Sequence, residues 1–219
     1  MSTSTGISPT RANKRRELGD KSRGEILDAA LALMSTNGYE GATVAKIAAS
    51  SGLPASSIYW HFGSKAGVLA AVMERGASEF FAEYEQVVQL DGPVTDPLSV
   101  LTAGITAGQR AVANHPEFLR LMILLGLSGQ HDERTEKIVQ ETAERGRVQI
   151  HALIEFAFSP YGTATATRVA DALADMAQAD FDGAFLTTQI RAGVSHEDLA
   201  RKLAESIYRL GVALADTSE

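Results

Sequence analysis

Apolar residues recur at helical spacing along most of the chain, and the alternation typical of β-strands is scarce. The first clear stripe follows a capping-box pair, Ser22 and Glu25, and ends at Asn37-Gly38. The pattern predicts a helix that begins near Ser22. Residues 1–20, rich in Ser, Thr and basic side chains, are predicted to be a flexible arm. The stripe consists of Ile26, Ala29, Ala30, Leu33 and Met34.

Two short helical segments follow Gly41. Thr43 is suited to cap the first, which ends at Ser50-Ser51-Gly52, and Pro54 is suited to the first turn of the second. Helices this short are not stable alone, so they must pack on each other and on the preceding helix. A long helix followed by two short ones with a tight glycine turn between them predicts a helix-turn-helix unit. Its small core is predicted to contain Val44, Ile47, Ala48, Leu53, Ile58 and Phe62.

Longer helices are predicted over the rest of the chain. The first has Ser64 as its cap, runs to Leu90 and would be about 40 Å long. The predicted fold class is therefore all-α, with a small N-terminal helical domain at residues 21–67 and a larger C-terminal one at residues 68–219. The further helices are predicted at about 96–114, 116–128, 132–158, 163–192 and 196–215.

Charge is distributed unevenly along the 219 residues, whose net charge is −7. Residues 1–65 carry eight basic and five acidic residues, whereas residues 66–219 carry 12 and 22. This asymmetry indicates that only the N-terminal part meets a polyanion, and it opposes a nonspecific architectural DNA protein, which would be basic throughout. Without an apolar run of membrane-spanning length or an N-terminal signal core, the chain is expected to be cytoplasmic, with no membrane partner.

Residues 22–69 resemble the N-terminal DNA-binding domain of the TetR family of bacterial transcriptional regulators. Trp60 departs from the family pattern, in which an aromatic such as Tyr is more usual. The resemblance implies a sequence-specific regulator, in the family's usual mode a repressor, that leaves its operator when a small molecule binds the C-terminal domain. The matching segments are Thr43-Val44-Ala45-Lys46-Ile47-Ala48, Ser51-Gly52-Leu53-Pro54, Ser57-Ile58-Tyr59-Trp60-His61-Phe62 and Ser64-Lys65, with Val68-Leu69 beyond.

Physical reasoning about the same residues also favours DNA binding, because an α-helix fits the major groove while its partner helix braces on the backbone. The entering helix, residues 54–60, has small or hydroxylated outward positions and no Arg, Asn or Gln for a bidentate base contact. Sequence would then be read through apolar contacts, water and DNA shape. The predicted DNA-binding residues are Thr43, Lys46, Pro54, Ala55, Ser56, Ser57, Tyr59, His61 and Lys65.

Alternatives stay open for several of these residues. Thr43 also serves as a plain helix cap, Lys46 has the alternative of a solvated surface lysine, and Tyr59 and His61 that of holding the domain by hydrogen bonds. Trp60 is expected to pack rather than to read bases. The arm is given a supporting role, either in an adjacent minor groove or through nonspecific attraction. Its basic residues are Arg11, Lys14, Arg15 and Arg16.

A homodimer is expected, because one helix-turn-helix reads too few base pairs and a pair places two recognition helices about 34–36 Å apart. Small residues concentrated between positions 164 and 184 allow close helix approach, so the last two helices are predicted to form a four-helix bundle with their partners. The alternative is that these stripes close the core of one chain. The predicted interface residues are Val169, Leu173, Met176, Phe181, Leu203, Ile207 and Leu210.

The family resemblance also implies a small-molecule effector, and the aromatic content of the C-terminal part suits a largely apolar one. The long helix that begins at Ser64 would transmit the effector's signal. For each candidate the alternative is ordinary core packing. The predicted effector-binding residues are Phe80, Tyr84, Gln109, His115, Phe118, Met122, His151 and Phe156, with Phe81 and Phe158 as further aromatic candidates.

An all-helical small-molecule-binding protein or an enzyme is the alternative class of function. The chain has no cysteine, and it has none of the P-loop, dinucleotide-binding, zinc-protease or nucleophile-elbow motifs. No catalytic residue, cofactor or metal site is therefore predicted. A zinc site built from His131, Asp132 and Glu133 is a weak hypothesis, because adjacent residues on a helix point in different directions.

Overall fold

The computed structural model describes residues 11–128 and 132–216, with only the backbone described for residues 11–14. Within these residues the chain forms nine α-helices and no strand. A single 3-10 turn, Ser159–Tyr161, separates the seventh and eighth helices. The helices are α1 Arg11–Gly41, α2 Val44–Ser51, α3 Ala55–Phe62, α4 Lys65–Val87, α5 Pro97–Asn114, α6 Pro116–Ser128, α7 Glu133–Ala157, α8 Thr163–Ile190 and α9 His196–Asp216.

The all-α prediction is confirmed, and the local signals that marked helix ends operate as expected. Thr43 caps α2 by accepting a hydrogen bond from the Lys46 amide, and Ser64 accepts one from the Gly67 amide at the start of α4. Asp96 caps α5 through the Leu98 amide. Each hydroxyl or carboxylate satisfies an otherwise free N–H. Thr43 and Ser64 were predicted as caps from the sequence, whereas Asp96 was not.

The start of α1 differs from the prediction. The helix begins at Arg11 rather than near Ser22, and the Ser22 hydroxyl lies inside it, donating to the Gly19 carbonyl at 3.0 Å instead of forming a capping box. The predicted stop at Asn37-Gly38 survives as an interruption of helical geometry, with a φ of 70° at Gly38. Residues 1–10 of the predicted arm lie outside the described residues.

The described residues divide into two compact units. Those of Met1–Arg75 and Arg120–Glu136 form the N-terminal unit, and those of Gly76–Leu119 and Lys137–Glu219 form the C-terminal unit. The division falls inside α4, eight residues beyond the boundary predicted at residue 67, because the first turns of α4 pack with α1 to α3. In the N-terminal unit the core is fully buried and consists of Ile26, Leu27, Ala30, Met34, Ile47, Ile58, Val68, Leu69, Val72 and Met73.

The C-terminal unit is built on a cluster contributed by α5, α7, α8 and α9. Glycines in two of these helices allow close contacts with neighbouring side chains. A Cβ on Gly104 of α5 would meet the side chain of Leu153, and a Cβ on Gly211 of α9 would meet the ring of Phe158. Such contact leaves no space for an additional methyl group. The buried members include Leu101, Leu153, Ile154, Phe158, Val169, Leu173, Leu203 and Ile207.

This cluster corrects the predicted dimer interface. Val169, Leu173, Leu203 and Ile207 are at most 9% exposed and pack inside their own chain, so the alternative considered for these stripes applies to them. Met176 and Phe181 are partly buried against the same cluster, and only Leu210, 44% exposed, lies largely at the surface. The strongest apolar stripe of an amphipathic helix faces its own core.

Across the described residues, none of the helices has both the length and the apolar character required to span a bilayer. In the same part of the chain, no three His, Asp or Glu side chains are placed to bind a metal ion together. His131, one member of the weak zinc hypothesis, lies outside the described residues.

Candidate nucleic-acid interface

The turn between α2 and α3 is made possible by Gly52. Its φ of 71° and ψ of 11° lie in the left-handed region, where a glycine has no Cβ penalty. The chain then enters α3 after Pro54, whose extended backbone places the Pro54 carbonyl to accept from the Ser57 amide at 2.9 Å. The glycine-proline spacing thus fixes how α3 leaves α2.

One side of α3 is buried and the other faces solvent. Ile58 is fully buried, whereas Tyr59 is 54% exposed and Trp60 is 78% exposed. Ser56 is also exposed, and neither α2 nor α3 contains a carboxylate. The outward side of α3 therefore presents hydroxyl and aromatic groups without negative charge, which is compatible with a DNA groove.

Trp60 contradicts its prediction. It was expected to pack, yet it is among the most exposed large side chains described, and its ring makes only an edge contact with the His61 ring, 4.5 Å between centroids. The reason is that Trp60 follows the buried Ile58 by two positions, which places it on a different side of α3. Trp60 is a candidate DNA contact that sequence reasoning missed.

The predicted phosphate contacts at the start of α2 are exposed. The Thr43 oxygen accepts from the Lys46 amide at 3.3 Å, which leaves its O–H able to donate to a phosphate. The Lys46 ammonium donates to the Gly41 carbonyl at 2.8 Å and retains two further donors. Both side chains therefore combine a structural contact with capacity for another.

Lys65 is more enclosed than predicted. Its side chain is 23% exposed, and its ammonium donates to the Tyr39 carbonyl at 3.2 Å. The same nitrogen lies 3.9 Å from the centroid of the Tyr39 ring and 3.5 Å from Glu40 Oε2. These contacts hold the cation at the junction of α1 and α4.

His61 connects α3 to α1. Its Nε2 lies 3.1 Å from the Ser22 hydroxyl, which supports the hydrogen-bonding alternative considered for this residue. Burial, followed by the nearby Arg23 guanidinium, lowers the pKa of His61 below its usual value. Arg23 itself is exposed, with its guanidinium carbon 5.3 Å from the centroid of the Phe62 ring. Arg23 is thus a cation near α3 in addition to Lys65, and no sequence motif had indicated it.

The remaining predicted contacts, at the start of α3, differ in accessibility. Pro54 is exposed, whereas Ala55 and Ser57 are half-buried. Of the basic arm, Arg15 and Arg16 are exposed on the first turns of α1, and the side chains of Arg11 and Lys14 lie outside the described residues. The structure thus brings the predicted α2 and α3 residues onto one helix-turn-helix unit with graded exposure.

Three of the predicted effector residues, Phe80, His115 and Phe118, pack together in one aromatic cluster. The Phe80 ring lies 6.2 Å from the His115 ring and 6.1 Å from the Phe118 ring, and both phenylalanines are at most 9% exposed. Phe81 packs edge-on against Phe80, and His115 Nε2 lies 3.0 Å from a Glu83 oxygen. These side chains fill core positions.

Tyr84, predicted to line an apolar cavity, is half-buried, and Gln109, predicted as a polar anchor, is buried. Burial raises the pKa of Tyr84 to about 12. Gln109 is 2% exposed, its oxygen lies 3.2 Å from His196 Nδ1, and its Nε2 has no hydrogen-bond partner in the described part of the chain. An unpaired buried donor is costly, which makes Gln109 a place where an acceptor atom would bind favourably.

The other effector predictions are dispersed. His151 pairs with Asp171 at 2.9 Å at the surface, Met122 belongs to the N-terminal unit, and Phe158 is fully buried in the α5, α7, α8 and α9 cluster. Phe156 alone lines a cleft, of about 390 Å³, between the segment that follows α4 and helices α5 and α7. A neighbouring cleft of about 590 Å³ lies along α5 beside α9 and contains none of the predicted residues.

Comparisons with known proteins were made with the sequence and with the fold. The family model described as bacterial regulatory proteins, tetR family, matches residues 26–72, the segment that contains α2 and α3. The transcriptional regulator AcrR of Shigella flexneri is 36% identical over 90 residues, which cover 41% of each chain. The transcriptional repressor AcnR of Corynebacterium glutamicum is 35% identical over 85 residues, covering 36% of this chain and 45% of AcnR.

Similarity at the level of fold extends further along the chain. A TetR-family regulator from Agrobacterium tumefaciens superimposes with a TM-score of 0.67 at 21% identity, covering 87% of this chain and 98% of that one. The sequence alignments with AcrR and AcnR span less than half of the length of those relatives. The matched model shows that residues 26–72 form a domain of the tetR family of bacterial regulatory proteins, and the superposition shows that the helical fold is shared over most of the chain.

Proposed function

We propose that this chain is a transcriptional repressor that binds operator DNA as a homodimer and releases it when a small molecule occupies the C-terminal unit. In each protomer α3 enters the major groove, while the start of α2 and the start of α4 contact phosphates. The names of the related regulators and repressors support this proposal, as does the family of the matched domain.

The observation that carries the proposal is the outward side of α3. Two adjacent aromatic residues, Tyr59 and Trp60, are largely exposed on a helix held in place by its buried Ile58. A large exposed aromatic pair is unfavourable in water unless a partner covers it, and base edges, sugars and thymine methyls supply such a partner. The absence of carboxylates from α2 and α3 removes the repulsion that a phosphate backbone would meet there.

Phosphate contacts would position this helix without carrying sequence information. Thr43 and Lys46 lie at the N-terminus of α2, where free amides and the helix dipole attract an anion. Lys65 lies at the start of α4, His61 lies in the last turn of α3, and the Arg23 guanidinium packs against the Phe62 ring. Basic side chains therefore lie at the ends of α2 and α3, which are the proposed bracing and reading helices.

The test selects duplexes of about 30 base pairs from a randomised library with the full-length protein and measures affinity by fluorescence anisotropy. Truncating Trp60→Ala or Tyr59→Ala is expected to weaken binding to the selected duplex roughly tenfold, since apolar contact is lost in both half-sites. Leu127→Ala is the matched control, because Leu127 is 82% exposed and lies outside α2 and α3. Equal affinities for the selected and a scrambled duplex would refute the proposal.

The homodimer is proposed to form through a surface of α8 and α9 that differs from the predicted one. On α8, Ala172, Ala179, Leu186 and Ile190 are exposed and recur at spacings of seven, seven and four residues, which places them on one face. Leu210 adds an exposed apolar side chain on α9. Small residues followed by larger apolar ones suit close contact between helices from two chains. A monomer in light scattering at micromolar concentration would contradict the dimer.

The effector is proposed to bind the clefts along α5. Their volumes suit a small molecule, and both clefts are lined by Val87, Ser99 and Ala103. Arg110 also lines the larger cleft and is exposed. It has no ion-pair partner in the described part of the chain. It is therefore suited to bind an acidic group on a mainly apolar ligand. A thermal-shift screen of apolar compounds with and without a carboxylate tests this. Ala103→Phe should abolish any shift, while Ala113→Phe, exposed on the same helix outside both clefts, should retain it.

A further inference from the structure

The ammonium of Lys65 is already engaged within the N-terminal unit. It donates to the Tyr39 carbonyl at 3.2 Å, lies 3.9 Å above the Tyr39 ring and is 3.5 Å from Glu40 Oε2. Under the proposed function this same nitrogen has to reach a DNA phosphate. The contacts therefore raise the question of which of them a phosphate would have to replace.

The three partners of Lys65 differ in charge. An ammonium has three N–H donors, and the Tyr39 carbonyl and ring are neutral partners that remain favourable when an anion binds to the same cation. The Glu40 carboxylate has the same sign as a phosphate, so the two anions repel each other and compete for the remaining donor. Only the Glu40 contact opposes DNA binding.

The exposed fractions of the side chains indicate which contacts of Lys65 are easily broken. The Lys65 side chain is 23% exposed, because it rests on Tyr39, whereas the Glu40 side chain is 74% exposed. An ion pair with such a hydrated partner is weak and separates readily. Tyr39 therefore holds the cation in place, and Glu40 can move away from it without disturbing the core.

We propose that Glu40 is a built-in competitor for the phosphate-binding lysine and sets an upper limit on DNA affinity. This inference rests on the proposed function, since it assumes that Lys65 contacts the DNA backbone. Phosphates carry no base information, so the competition weakens binding to all duplexes alike and leaves the preference between sequences unchanged.

Other ion pairs of the N-terminal unit provide a matched comparison. Asp28 pairs with Arg75 at 2.7 Å, and its side chain is 73% exposed, close to the value for Glu40. Arg75 lies ten residues beyond Lys65, near the other end of the α4 segment that belongs to this unit. Neutralising Asp28 thus makes the same change in net charge without releasing Lys65.

The experiment measures anisotropy with the full-length protein on the selected duplex and on a scrambled duplex of equal length. Glu40→Gln is expected to tighten binding about threefold in each half-site and so about tenfold for the dimer, on both duplexes. Asp28→Asn is expected to change affinity by less than about twofold, because only diffuse charge is altered. Thermal unfolding of each variant at one protein concentration checks that folding is retained.

A double-mutant cycle with Lys65→Met separates competition for the lysine from general repulsion. In the Lys65→Met background, Glu40→Gln should give no more than the small gain of Asp28→Asn. Glu40→Asp tests the same idea without requiring that a Lys65 variant folds. It keeps the charge but moves the carboxylate back by one methylene, so part of the tenfold gain in affinity is expected.

The proposal is overturned if Glu40→Gln gains no more than Asp28→Asn, if its full gain persists with Lys65→Met, or if Glu40→Asp binds as the unaltered protein does. These outcomes are distinct from failure of the proposed function. If the proposed function fails, the unaltered protein binds the selected and the scrambled duplex with equal affinity. The ratio between the affinities of Glu40→Gln and of the unaltered protein is still measured on each duplex.

Discussion

At the scale of single residues, the side chains of α3 are divided by burial into those that hold the helix and those that face outward. Ile58 is buried, while Tyr59 and Trp60 are exposed. Sequence reasoning predicted an outward Tyr59 from the motif but assigned Trp60 to packing, since large aromatics generally supply core volume. Trp60 follows the buried Ile58 by two positions, which places the two side chains on different sides of α3. The residue type favoured packing, whereas the position on the helix decides the exposure.

His61 gives a residue-scale prediction about pH. Burial and Arg23 lower its pKa in the folded chain, so between that value and the ordinary value near 6.5 the unfolded chain binds more protons. The free energy of unfolding must then rise with pH through this window, and the contribution is lost as the pH falls. Denaturant unfolding at about pH 7.5 and 5.5 should show a larger loss for the unaltered protein than for His61→Asn. Equal losses would show that His61 titrates normally.

At the scale of helices, the boundaries were largely predictable because each is set by a local chemical signal. The predicted 116–128 segment coincides with α6, and Thr43, Ser64 and Asp96 act as caps. The exception is the start of α1, at Arg11, where a stretch of polar and basic residues without an apolar stripe is helical. Hydrophobic periodicity reports burial rather than helicity, so a solvent-exposed helical extension escapes it.

A helix-scale prediction concerns the packing of α9. A Cβ on Gly211 would lie 2.6 Å from Phe158 Cε2 and 2.8 Å from Cε1, and Phe158 is fully buried. Gly211→Ala should therefore lower the free energy of unfolding by about 1–3 kcal/mol, despite the better helix propensity of alanine. Gly126→Ala, with no atom within 4 Å of the new Cβ, should instead raise it by up to about 1 kcal/mol. Urea unfolding at one protein concentration measures both, and a change of the same sign in the two variants would contradict this packing.

At the scale of the whole molecule, the two units could be predicted from the sequence with different precision. In the N-terminal unit, α2, α3 and the turn between them could be predicted, because short helices, a glycine turn and a proline leave few alternatives. The exposure of Trp60 and the helical segment before Ser22 were not predicted. The C-terminal unit could be predicted as helices only. Which stripe faces the core and which faces a second chain depends on long-range packing, so Val169 and Leu203 were assigned outward although they are buried. The clefts along α5 are likewise formed by residues distant in sequence.

Uneven charge is the other property of the whole chain that bears on function. The 12 basic and 22 acidic residues after position 65 give the larger part of the protein a negative charge that repels DNA. Under the proposed function, attraction would be confined to the first 65 residues, which would orient the chain during encounter with DNA and limit nonspecific binding along the C-terminal part.

The most direct test of the central claim uses the absence of cysteine from the chain, which lets one thiol carry a DNA-cleaving reagent. Ser56→Cys places the reagent on the exposed side of α3, and Ser206→Cys places it on an exposed position of α9. On the selected duplex, the α3 conjugate should cut at two positions about one helical turn apart, symmetric about the centre of the site, and the α9 conjugate should not cut. Uncut DNA with the α3 conjugate, or equal cutting from both conjugates, would contradict insertion of α3 into the groove.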